Sequence, residues 1–136
     1  MSKVSKYFIL FFAFIFTLLC SMAFSFIFLT SYTLDGVEYS RNNLFDYYFL
    51  TPSIIKTTPY ISDKAIYYSQ GDDNYGFTRD KVTWEDVIDT VAARNKLEIY
   101  LTNQGVQLNS DNNKEEKFLI VSFEHTISLE IINYTR

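Results

Sequence analysis

Residues 8–29 carry no charged side chain, and the charge-free stretch extends from Tyr7 to Tyr32. An apolar run of that length predicts a helix that crosses a membrane. At 1.5 Å of rise per residue it spans roughly 33 Å, enough for a hydrocarbon core, and a helix is the single-segment structure that satisfies its own backbone in lipid. Tyr7 and Tyr32 fall where aromatic rings are favoured, at the two membrane–water interfaces. The pattern therefore divides the chain into residues 1–6 as a cytoplasmic N-terminus, 7–32 as a transmembrane helix retained as a signal anchor, 33–43 as a polar tether and 44–136 as an extracytoplasmic domain.

Beyond residue 43 the periodicities are shorter. Residues 44–50 are too apolar to face water throughout, and Thr51 followed by Pro52 predicts an N-cap and first helical position of a short turn of helix. Residues 64–69 have the β-branched and aromatic content of a strand, and 70–76 read as a loop. Thr83 with Asp86 three residues on resembles a capping box, and Trp84, Val87, Ile88, Val91 and Ala92 then share one face, so an amphipathic helix is predicted to begin at Thr83. Its end has two readings, because Ala93, Leu97, Tyr100 and Leu101 recur on the opposite face. Either the helix runs to Asn103 with Gly105 as a left-handed stop, or it ends near Asn95 and Leu97, Ile99 and Leu101 alternate along a strand. We prefer the second. Residues 109–116 form a hydrophilic loop, and 117–124 and 126–133 a hairpin whose first strand is apolar on both faces, as expected of a central strand. The fold class is α+β, with a largely antiparallel sheet of three to five strands and one principal helix.

Charge sets the orientation. Lys3 and Lys6 precede the span, and Asp35, Glu38, Arg41 and Asp46 follow it, so the positive-inside rule keeps the N-terminus cytoplasmic. A cleaved secretory signal is the alternative, with cleavage at 21–23 or 23–25, but the apolar run continues through Phe26, Ile27, Phe28 and Leu29, past where a signal turns polar. The only cysteine, Cys20, lies in the span, so the external part has no disulfide; Leu18 and Leu19 before it are too bulky for a lipoprotein signal. All 16 Asp and Glu but only ten of the 12 Lys and Arg follow residue 33, a formal charge of −6. Such a domain is repelled by nucleic acid and by anionic lipid headgroups, and suits a basic protein partner.

The candidate chemistry is sparse. His125 is the single histidine, which removes histidine-paired metal sites and nearly all Ser-His or Cys-His nucleophile systems, and its place between two strands makes it a surface turn residue. Asp72, Asp73 and Asn74 beside Gly76 offer oxygen ligands, but without the spacing or the bidentate Glu of the twelve-residue calcium loop. Glu85 and Asp89 would share a helix face pointing away from the apolar stripe, which is a solvated surface rather than a paired-carboxylate site. No cofactor or metal ligand set is predicted. Asn133, Tyr134 and Thr135 form a glycosylation sequon that matters only in a source that glycosylates secreted chains.

Tyrosine stands out, with nine of the 11 beyond residue 32. Its apolar body and polar tip suit protein contacts, so Tyr47, Tyr48, Tyr67 and Tyr68 are the expected partner-binding residues. A short cytoplasmic N-terminus, one span and a small disulfide-free domain resemble, by architecture alone, small single-pass proteins of bacterial inner membranes. The function expected is a membrane-anchored, non-enzymatic binding module, of which an immunity or inhibitor protein is one version. An accessory subunit docking through its transmembrane helix and a small carboxylate-dependent envelope hydrolase are the alternatives. Oligomeric state and partner identity are not legible.

Overall fold

A computed structural model describes residues 3–72, 76–106, 108 and 116–134, and divides the chain into an N-terminal helix and a separate domain that begins at Thr33. The helix α1 is Lys3–Tyr32. Within it, Lys6–Phe28 is long and apolar enough to cross a membrane. Its polar side chains turn back on the helix: Thr17 Oγ1 donates to Ala13 O and Ser25 Oγ to Ser21 O, each at 2.9 Å. A hydroxyl in hydrocarbon requires such a partner.

The domain is α+β, as the sequence predicts. Strands β1 (Val37–Ser40), β2 (Ala65–Asp72), β3 (Phe77–Trp84), β4 (Glu116–Phe123) and β5 (Thr126–Tyr134) form one sheet in the order β1-β2-β3-β5-β4, antiparallel at every step. Helices α2 (Leu44–Leu50), α3 (Ser53–Lys56) and α4 (Thr90–Asn103) connect them. The core lies on one sheet face. Val82, Leu129 and Ile127 on β3 and β5 are fully buried, as are Leu97 and Leu101 of α4, with Tyr39 and Tyr67 continuing the layer across β1 and β2.

Several sequence expectations are corrected here. The tether at 33–43 contains β1, which pairs Val37 with Ser69 and Tyr39 with Tyr67. Pro52 is the N-cap of α3 and Ser53 its first residue, so the helix starts one residue later than predicted. Thr83 and Trp84 end strand β3 and start no helix; the helix begins at Thr90, where the Asp89 side chain caps the Ala92 N–H at 2.9 Å. It then runs to Asn103, with Gly105 at φ 80° beyond it, so the strand preferred for residues 97–101 does not form. The buried stripe is Ala93, Leu97 and Leu101, and Val91 and Ile88 face solvent. The strand at 116–123 is an edge strand, not a central one, and Leu119, Val121 and Phe123 along it are exposed. Of the loop expected at 109–116, residues 109–115 lie outside the described residues, as do 73–75 of the oxygen-rich loop and Thr135 of the sequon.

Gly36 forms the turn into β1, its N–H bonded to Thr33 O at 3.1 Å, with φ 80°. A Cβ there would run into the Tyr68 ring. Gly36→Ala should lower the denaturation free energy by about 1–2 kcal/mol, the cost of a left-handed non-glycine residue plus displacement of the ring. Urea unfolding of the full chain in detergent checks this, and Tyr68→Ala in the same chain should recover only the steric part.

A half-buried carboxyl lies on the core face. Asp80 sits opposite Ser69 and Ile131, and burial pushes its pKa up, opposed by the Ser69 hydroxyl that donates to it at 2.7 Å. The folded chain therefore holds this proton more tightly than the unfolded chain does. Its contribution to stability is complete below the ordinary carboxylate range near pH 4 and is lost as pH rises through the raised value. Asp80→Asn should raise the urea midpoint at pH 7 and flatten the gain in stability as pH falls through the raised value; an unchanged pH profile would refute this.

Candidate functional site

The tyrosines singled out from sequence do not form one surface. Tyr67 is buried and stacks on Tyr39, with ring centroids 5.8 Å apart, and Tyr47 meets Tyr67 edge-on at 5.2 Å. Burial pushes the Tyr39 pKa up to about 12, opposed by its hydrogen bond to Thr51 and reinforced by Asp80 and Asp46, and burial raises Tyr67 in the same way. These three rings are packing. Tyr48 is exposed on α2, and Tyr68 lies on the opposite sheet face, beneath the Arg79 guanidinium at 6.0 Å. The period-two alternation of β2 separates neighbours 67 and 68 onto different faces, a consequence that the dipeptide itself hides.

The structure instead draws attention to a groove of about 520 Å³ between residues 60–64 and the segment that joins β3 to α4. Its apolar floor is Ile61, Val87, Ala92 and Ala93, and Asp63, Lys64, Asp86, Asp89 and Lys96 rim it. It lies at the Trp84 end of the sheet. The chain enters the domain at the other end, where Thr33 O accepts from Gly71 N at 3.1 Å. Seven residues of strand separate the two ends, roughly 23 Å at 3.3 Å per residue.

The segment 85–89 is held at successive points. Glu85 N donates to Lys64 O at 2.9 Å, Ser62 Oγ donates to Glu85 O at 2.6 Å, and Val87 N donates to His125 O at 2.8 Å. Asp86, in the left-handed region at φ 55°, pairs with Lys64, and Asp89 caps α4. The hydrogen bond that Lys64 donates to Asp86 raises the Lys64 pKa, and Tyr60 is raised by its bond to Asp63. His125 thus serves the site through its carbonyl, while its side chain is exposed in the β4–β5 turn.

Ile88 occupies the crest of this segment and is 98% exposed. As the residue before the N-cap it is placed to staple onto the fourth helical position, Ala93. That exposure shows that it does not. A bulky apolar side chain is presented to solvent on a backbone fixed on either side. Sequence reasoning missed it by burying Ile88 in a helix that had not yet begun; the pair Asp89-Thr90, a better cap than Thr83, was the available signal.

Glu85 and Asp89, expected on one helix face, are in this segment and not in the helix. Among the described residues no three His, Cys, Asp or Glu side chains gather as a metal site would require. The chain matches no protein family, no curated protein and no solved structure with which it was compared.

Proposed function

We propose that this protein is a membrane-anchored, non-enzymatic binding module. In this reading α1 is retained as a single span of a bacterial inner membrane, the N-terminus is cytoplasmic, and the domain stands on the periplasmic or outer side. The groove beside Ile88 receives a protein partner, with an apolar partner side chain against Ile88 and the groove floor and basic side chains around it. The observation that carries the reading is the near-complete exposure of Ile88 on a segment pinned at Glu85, Val87 and Asp89. Pre-ordered apolar anchors are what interfaces concentrate their energy in, because little conformational freedom remains to be lost on binding. The domain charge of −6 supports a basic partner. An immunity or inhibitor protein has these requirements.

A second reading makes α1 itself the contact surface of a larger membrane complex, since phenylalanines such as Phe14, Phe16, Phe24 and Phe26 are all exposed on it. Replacing residues 7–32 with an unrelated apolar helix of equal length separates the two. A module that binds through its domain keeps its partner in crosslinking from native membranes after the exchange, whereas a subunit docked through its span loses it.

A further inference from the structure

Helix α2 is amphipathic in an inverted sense. Its one charged residue, Asp46, is 3% exposed and accepts from the Asn43 side-chain amide, while Leu44, Phe45, Tyr48 and Phe49 are each more than half exposed. At 100° per residue these four occupy one continuous arc, and Asp46, Tyr47 and Leu50 the other. The Phe45 and Phe49 rings touch, with centroids 4.8 Å apart. Packing within the domain does not account for this face, because Tyr47 and Leu50 alone supply the contact of α2 with the core cluster.

Cations flank the exposed arc. Lys56 Nζ donates to Tyr48 O at 2.7 Å and lies 5.7 Å from the Tyr48 ring, and the Arg41 guanidinium lies 5.7 Å from the Tyr47 ring. The outward arc of α2 carries no carboxylate. The domain as a whole is at −6, so this is a locally apolar and basic face on an acidic body.

We infer that α2 docks on the surface of the membrane that α1 crosses, with Leu44, Phe45, Tyr48 and Phe49 at the headgroup–acyl boundary and Arg41 and Lys56 against anionic headgroups. Aromatic and leucine side chains flanked by cations are the composition that lies in that plane. Charge complementarity selects this face over the others, since anionic lipid repels the rest of the domain. Continuity along the chain supplies the second reason: only residues 33–43 separate α1 from α2. The inference rests on α1 lying in the bilayer and is independent of what occupies the Ile88 groove.

The test uses the full chain, purified and reconstituted in vesicles of phosphatidylethanolamine and phosphatidylglycerol, with bromine on the acyl chains. Single tryptophans at Phe16, Phe49 and Ile99 are compared in a Trp84→Phe background. Quenching at 16 and 49 but not at 99, with the signal at 49 reduced severalfold by Arg41→Glu plus Lys56→Glu or by omission of phosphatidylglycerol, is the expected result. Quenching at 16 with position 49 as unquenched as 99 overturns the inference while leaving α1 in the bilayer, and absence of quenching at 16 removes its premise and overturns it too. Protection of position 49 from acrylamide in native membranes, without quenching by brominated lipid, assigns the face to a protein and likewise overturns it. Nitroxide labels on single cysteines at the same positions, in a Cys20→Ser chain that keeps Trp84, give the depth independently should the tryptophan variants fold poorly.

Discussion

Leu97→Ala is expected to destabilise the domain by about 2–5 kcal/mol, whereas Val91→Ala, six residues earlier on the same helix, stays within about 0.5 kcal/mol of the wild type. Leu97 is fully buried between α4 and the sheet, as part of the core cluster. Val91 is 69% exposed. A helix starting at Thr83 with Trp84, Val87, Ile88 and Val91 inward would reverse the two effects, so the pair distinguishes the helix register directly. Urea unfolding of the full chain in detergent, followed by Trp84 fluorescence, gives both values. Equal losses at the two positions would refute the packing described.

Trp84→Ala should cost about 3–5 kcal/mol. Trp84 closes β3, opposite Ala65 on β2 and Ile127 on β5, and is 4% exposed. Its loss opens a large cavity at the sheet end that supports residues 85–89, so the groove should loosen with the fold. Thermal unfolding by circular dichroism measures the stability, and hydrogen exchange at Val87 N, bonded to His125 O, reports the groove. A variant that loses stability while the Val87 amide keeps its full protection relative to the sheet would separate the groove from its proposed support.

Most of the architecture was legible because the strong patterns are local. The apolar run of α1 and the hairpin of β4 and β5 follow from side-chain spacing alone, and both appear in the structure. Strand β3 did not, because its inward positions include Asp80 and Thr78 beside Val82 and Trp84, and an inward carboxyl breaks the apolar alternation on which a strand is recognised. Without β3, Trp84 has no strand to belong to, and its spacing to Val87 reads as helical. The edge position of β4 was hidden for a different reason: an apolar pattern on both faces reports side-chain chemistry, not which neighbours pair. Strand β1 is only four residues long and is held by pairing to β2, a long-range contact that a local pattern does not contain.

The candidate site was less legible than the fold. Tyrosine content pointed to residues 47, 48, 67 and 68, but composition does not distinguish a core ring from a surface ring, and the sheet pleat assigns Tyr67 and Tyr68 to opposite faces. Exposure of Ile88 depends on where α4 begins, and that is decided by the Asp89 cap together with bonds to Lys64 and His125 from distant parts of the chain.

The central claim is that the domain binds a protein through the groove at Ile88. Its most direct test is crosslinking and affinity capture of the tagged full-length protein from its own membranes, wild type beside Ile88→Asp, with folding of both verified by Trp84 fluorescence. The account predicts one stoichiometric basic partner with the wild type, captured less as salt is raised, and at least a tenfold loss with Ile88→Asp, equivalent to about 1.4 kcal/mol or more. Equal capture by both chains, or none by either, would contradict it.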